Sequence, residues 1–168
     1  MNQGCVSGLT GKALVDIITS GIAAWRSTGA TVHVPLHLSN LTKAYAEIGQ
    51  FDDAWRCISE AMTTIETTKE TFFEADVRRT AGEIALLSRE PDAAKAEMYF
   101  DQALAVARAQ QARSWELRAA TSLARLWHDQ GKHDEARDLL APVYGWFTEG
   151  FDTRDLTEAR ALLNVLAS

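Results

Sequence analysis

Apolar side chains recur at every third or fourth position along nearly the whole chain, and alternating polar and apolar runs of strand length are missing. The first spacing lines one face of a helix, so the pattern predicts helices throughout. Turn-like stretches place a lone helix at 9–28, helix pairs at 35–70, 72–112 and 114–150, and a closing helix at 153–167. Residues 1–8 read as a flexible lead-in, and the whole of 1–168 as one domain. In the closing segment "DLTEARALLNVLA", Leu156, Ala159, Leu162, Leu163 and Leu166 share one side, as expected of a helix that caps an apolar edge.

The helical segments repeat. "GIAAWRSTGA" from Gly21, "AMTTIETTKE" from Ala61 and "ALAVARAQQA" from Ala103 begin 40 and then 42 residues apart. Ile18, Ile58, Phe100 and Leu140 keep that register, as do Trp25, Ile65, Ala107 and Phe147. In the first helix of each pair, Leu41, Ala81 and Leu123 share a slot, followed by the small residues Thr42, Gly82 and Ala124. Small groups there allow a neighbouring helix to approach closely. Four positions beyond the leucine slot stand Tyr45, Ala85 and Trp127, the two larger ones serving as wedges. The lone first helix aligns with second helices, which suggests a piece of a longer array.

Local chemistry supports the division. "TFFE" (71–74) has a capping-box pattern, and Pro91 suits the first turn of a helix. Gly49 and Gly131 stand where one helix ends and the next begins. Asp52 and Asp53, like Asp134 and Glu135, favour the following helix N-terminus. "DQGKHDEA" (129–136) occupies the same turn as "EIGQFDDA" (47–54), 82 residues earlier, which has no histidine. Gly131 breaks the helix between His128 and His133, and five residues on a single helix would turn them about 140° apart. The cluster reads as a solvated turn rather than a metal site. His33 and His37 are four apart, but Pro35 between them argues against one helix through both.

Composition is that of a globular chain: 46% hydrophobic, 24% charged and 3 prolines in 168 residues. The net charge of −6 argues against nucleic-acid binding, which needs a concentrated basic face. No segment reads as a membrane span or a secretion signal. Cys5 and Cys57 form no metal or redox spacing, which fits a cytoplasmic chain, and Cys57 falls on a buried helix face. "GLTGKA" lacks the phosphate-loop pattern, with Val6 in the glycine slot and Ala13 in place of the hydroxyl residue. No catalytic constellation, metal set or cofactor motif emerges.

The combination of small residue, wedge, glycine turn and alanine resembles the tetratricopeptide repeat. In "SLARLWHDQGKHDEARDLLAPV", Leu123, Ala124, Trp127, Gly131, Ala136 and Pro142 match the marked positions. "NLTKAYAEIGQFDDAWRCISEAM" matches at Leu41, Tyr45, Gly49, Ala54 and Ala61, and departs at Thr42. The middle copy keeps Gly82, Ala96 and Ala103, but Arg89 replaces the turn glycine and "REPDAAKA" is about two residues longer. "GIAAWRSTGA", "ARSWELRAATSLARLW" and "DLLAPVYGWFTEGFDTRDLTEARALL" resemble, more narrowly, the C-terminal repeat region of bacterial adenylate/guanylate cyclase–signalling ATPase proteins. No cyclase or ATPase motif accompanies them, so the family's enzymatic activity does not carry over. The resemblance implies an all-α, TPR-like α-α superhelix (solenoid) of about three helix pairs, with an N-terminal half-repeat helix and a C-terminal capping helix.

It also implies a concave surface lined by first helices. The positions flanking the small slot are Ser39, Lys43 and Glu47; Asp76, Arg79 and Glu83; and Arg118, Thr121, Arg125 and His128. Lys43, Arg79, Arg118 and Arg125 would form a basic strip suited to an acidic protein or peptide segment, with arginine offering two parallel hydrogen bonds. The competing reading is ordinary helix charge, balanced locally by Glu47, Asp76 and Glu83. Ser39, Glu83 and Thr121 stand where the chaperone-binding members carry a carboxylate clamp. Trp25, Trp127, Trp146 and Phe147 are expected in the core, whereas Trp55 and Trp115 are candidates for exposed anchors. The expected function is a non-catalytic protein-interaction scaffold, with a small-ligand or peptide receptor as the alternative. An apolar N-terminal helix face further suggests pairing into a homodimer.

Overall fold

The computed structural model describes residues 11–167; Cys5, the lead-in at 1–8 and the first half of "GLTGKA" lie outside them. Among the described residues the chain forms eight α-helices and no strand. No described helix is long and apolar enough to cross a membrane. The chain divides into two compact units, one ending at Thr71 and the other beginning at Phe72.

The first unit holds α1 (Gly11–Ser27), α2 (Val34–Glu47) and α3 (Phe51–Thr68). Helix α2 lies between the other two and buries Leu38, Leu41 and Ala44, while α3 contributes Ile58, Ala61 and Ile65. Pro35 sits in the first turn of α2, where its missing N–H is an orphan in any case. The helix therefore starts just after His33, its N-cap, and takes in His37, so the two histidines do not share one helix. Thr42, the departure from the small-residue slot, is fully buried. Its hydroxyl donates to the Leu38 carbonyl at 2.8 Å and lies 3.4 Å from that of Ala54 on α3, so the polar group is satisfied where the helices meet.

The second unit holds α4 (Glu74–Leu87), α5 (Ala93–Ala109), α6 (Arg113–Asp129), α7 (His133–Gly145) and α8 (Arg154–Leu166). Helix α6 is central and packs on all four others. Phe100, Leu117, Leu123 and Leu140 are fully enclosed there, each contributing about 1.5–3 kcal/mol of burial energy. Helix α8 closes the core with Leu156, Ala159 and Leu166. Buried Glu116 ties α5 to α6, accepting from Arg108 Nε at 3.0 Å and from Arg113 Nη1 at 2.6 Å.

The two glycine turns have the same geometry. Gly49 (φ 75°) lets Gln50 N donate to the Tyr45 carbonyl at 2.9 Å, and Gly131 (φ 79°) lets Lys132 N donate to that of Trp127 at 2.8 Å. Both close the preceding helix with a left-handed residue. The longer α4–α5 connection does without one. There Asp92 is the N-cap, accepting from Lys95 N at 2.9 Å, so Pro91 precedes the cap instead of entering the first turn as expected.

Candidate functional site

The arginines of the expected basic strip are each held by carboxylates. Arg79 is mostly buried between Asp76, at 3.0 Å, and Glu83, both on its own helix. Burial alone would push its pKa down, but Glu83 and Asp76 outweigh that and hold it above the ordinary value. Arg118 donates to Asp155 of α8 at 2.6 Å and stacks on Trp115, its guanidinium carbon 4.7 Å from the ring centroid. Arg125 lies 3.7 Å from Glu158, also on α8. Asp76 and Glu83 are the local acids that the sequence pattern sets against this strip; Asp155 and Glu158 come from α8. Ser39 and Thr121 are buried, with the Thr121 hydroxyl donating to the Leu117 carbonyl at 2.8 Å, so neither faces solvent. His128 is half-buried beside Asp129, and Lys43 is half-buried on α2.

Two of the four aromatics expected in the core are not there. Trp25 is 38% exposed and Trp146 57% exposed. Trp146 falls just past the end of α7, where it receives the Arg113 guanidinium at 4.8 Å instead of entering the bundle. Trp127 and Phe147 are partly buried against the core, and the Trp127 indole donates to Glu97 at 2.7 Å. Trp55 and Trp115 are also only partly exposed; Trp115 lies edge-to-face with Phe73.

Trp25 is exposed because it borders an open cleft between α1 and α2. The cleft has a volume of about 590 Å³. One wall is apolar, formed by Leu14, Ile18, Ile22 and Trp25 of α1, with Gly21 leaving a gap among them. The other is mostly polar, formed by His37, Asn40, Lys43 and Glu47 of α2. Edge-to-face contacts fix Trp25 against His33 and His37, with ring centroids 5.4 and 5.8 Å away. The spacing along α1 explains the wall. At 100° per residue, Ile22, Ile18, Trp25, Leu14, Gly21, Ile17, Ala24 and Ala13 sweep about half the helix circumference. Of that arc Ile22 is buried, Ala13, Leu14 and Ile18 are half-buried, and Ile17, Gly21, Ala24 and Trp25 are exposed.

A second hollow, about 360 Å³, follows α3 alone beside Glu60, Thr63, Thr64, Thr67 and Thr68. Each of these threonine hydroxyls donates to a carbonyl one turn back, so its hydrogen is committed to the helix. The rings of His128 and His133 meet edge-to-face at 4.9 Å across the Gly131 turn, an approach that spacing on one helix did not anticipate. Among the described residues no three His, Cys, Asp or Glu side chains converge as a metal site would require.

The α1–α2 cleft is thus the candidate site, and Lys43 and Glu47 are the two expected groove residues that line it. Its apolar wall is the N-terminal helix face that the sequence pattern already marks as apolar; that this face lies across from Lys43 and Glu47 only the packing of α1 on α2 decides. No protein-family model matches this chain, and no curated protein matches it significantly.

Proposed function

We propose that this chain is a non-catalytic interaction module built from tetratricopeptide-type helix pairs, and that it engages a partner through the α1–α2 cleft. The observation that carries the reading is an open cleft between an apolar wall and a mostly polar wall, bordered by exposed Trp25. Apolar surface of this kind, rimmed by polar groups, marks interaction sites on soluble proteins. The repeated glycine-turn geometry and the buried small-residue slot at Thr42, Gly82 and Ala124 support the repeat assignment. A regulatory role in a bacterial cyclase or signalling-ATPase type protein follows from the sequence resemblance alone.

Affinity capture comparing the native chain with Trp25→Ser and with the double variant Arg118→Glu, Arg125→Glu tests the reading. A protein held by the native chain and the arginine variant but lost by Trp25→Ser, at unchanged helicity, supports the cleft. Loss only with the arginine variant moves the site to α6. The cleft volume also falls in the range of small-ligand pockets, which favours a peptide or small-molecule receptor as the second reading. Thermal stabilisation by short amphipathic peptides or metabolites, abolished by Trp25→Ser, would select it.

A further inference from the structure

We infer that the place where the ends of α5 and α7 meet the start of α6 is a second binding surface, for a peptide segment that sets a carboxylate beside an apolar side chain. This surface is separate from the α1–α2 cleft and does not depend on the reading of that cleft.

Its charged half is a pair of arginines on one acid. Arg108, in the last turn of α5, and Arg113, the first residue of α6, both donate to Glu116, through Nε at 3.0 Å and Nη1 at 2.6 Å. Among the described residues Glu116 is the one carboxylate that either arginine pairs with. It lies beneath them at 5% exposure, whereas the two arginine side chains are 52% and 40% exposed. One cation suffices to neutralise a buried carboxylate. Two leave a net positive charge at the surface, on a chain whose net charge is −6. Each guanidinium spends one of its five N–H groups on Glu116, and the outward donors match carboxylate oxygens. Because Glu116 already fixes both side chains, less rotamer freedom is lost on binding.

The apolar half is Trp146, 57% exposed just past the end of α7. The Arg113 guanidinium carbon lies 4.8 Å from its ring centroid, so charge and indole share one surface. Tryptophan and arginine are the residue types enriched at binding hot spots. A purely acidic ligand would leave the indole uncovered, and a purely apolar one would bury guanidinium donors without acceptors. A mixed segment satisfies both. The repeat itself does not require this arrangement. Counting back 42 and 82 residues, Arg108 is matched by Glu66 and Arg26, and Arg113 by Thr71 and Thr31. Neither earlier turn carries both arginines, so helix packing alone does not account for the pair.

A peptide array probed with the full chain tests this. Each short peptide sets one Asp or Glu at varied spacing from a Leu, Phe or Trp, and its controls carry lysine for the acid or glycine for the apolar residue. The chain should be retained by the acidic–apolar peptides and by neither control. For the best of them, fluorescence anisotropy should show affinity falling as salt rises. Arg108→Gln, Arg113→Gln and Trp146→Ser should each weaken binding about tenfold. Each arginine change leaves the other arginine on Glu116, so the thermal midpoint should move little. Trp25→Ser, in the α1–α2 cleft, should leave this affinity unchanged, which separates the two sites. An array that retains nothing overturns the inference, as does binding that all three variants leave intact. Loss with Trp25→Ser alone also overturns it and assigns the peptide to the cleft. Variants that lower the thermal midpoint but not the affinity would make the arginine pair purely structural. A DNA oligonucleotide bound more tightly than any peptide would overturn the stated chemistry.

Discussion

The ring of Phe100 on α5 occupies the space where a side chain on Gly82 of α4 would begin. A Cβ at residue 82 would lie 2.5 Å from Cε1 and 2.7 Å from Cδ1 of that ring. Phe100 is fully buried, so it cannot swing away into solvent. Gly82→Ala should therefore destabilise the second unit by about 1–3 kcal/mol despite alanine's better helix propensity. Urea unfolding would show the midpoint falling with an unchanged slope. An alanine variant as stable as the native chain would mean that α4 and α5 can separate at no cost.

Arg79 makes a different demand. Its guanidinium neutralises Asp76, which is only 3% exposed, and also binds Glu83. Arg79→Leu would leave a buried carboxylate without this cation and should cost about 3 kcal/mol, measurable as a lower thermal midpoint. Pairing the change with Asp76→Asn should recover much of the loss. If binding of an acidic peptide were the residue's main role, the single variant would lose affinity and little stability.

The contact of α6 with α8 combines exposed ion pairs with a buried seam. Arg118–Asp155 and Arg125–Glu158 are partly exposed, so Asp155→Asn should cost only about 0.5–1 kcal/mol, and less at high salt. Leu156→Ala, at a buried position, should cost about 2–4 kcal/mol. The hydrogen bond from Arg154, with Arg125 adding its charge, holds the Glu158 carboxyl below its ordinary pKa. A carboxyl depressed by folding contributes stability that is present at neutral pH and lost as pH falls through the folded value. Hydrogen exchange of α8 should accordingly quicken, relative to α6, under acid conditions.

Cys57 should be inert toward alkylating reagents in the folded chain. Burial first, and then the Glu60 charge, push its thiol up to about 11 from 9.0. Because the folded value is the higher one, the unfolded chain loses its proton first as pH rises. The stabilisation is thus complete below about pH 9 and is lost between about 9 and 11. Peptide mapping after iodoacetamide treatment at pH 8 should find Cys57 unmodified until denaturant is added. Cys57→Ser, which buries a hydroxyl in its place, should cost about 1–3 kcal/mol.

Much of the local architecture was legible in one dimension. The 3.6-residue period and the turn signals predicted helices, and the glycines at 49 and 131 carry the left-handed geometry that their equivalent positions required. Leu41, Ala81 and Leu123, aligned by spacing alone, are all buried. These features depend on the residue and its near neighbours, so the linear pattern carries them. Pro35, which argued against one helix through His33 and His37, stands in the first turn of α2, and His33 stays outside as the N-cap. In the first turn the proline costs no hydrogen bond.

What only the tertiary structure decided is which side chains each face meets. Arg118 and Arg125 read as a strip awaiting a partner until α8 placed Asp155 and Glu158 against them, more than thirty residues along the chain. Trp25 shares a register slot with buried Ile65 and Ala107, yet it borders an open cleft, because a register states which face a residue takes and not whether anything covers it. Periodicity is a property of one helix; charge neutralisation and burial belong to pairs of helices, and they exist only once those helices have packed.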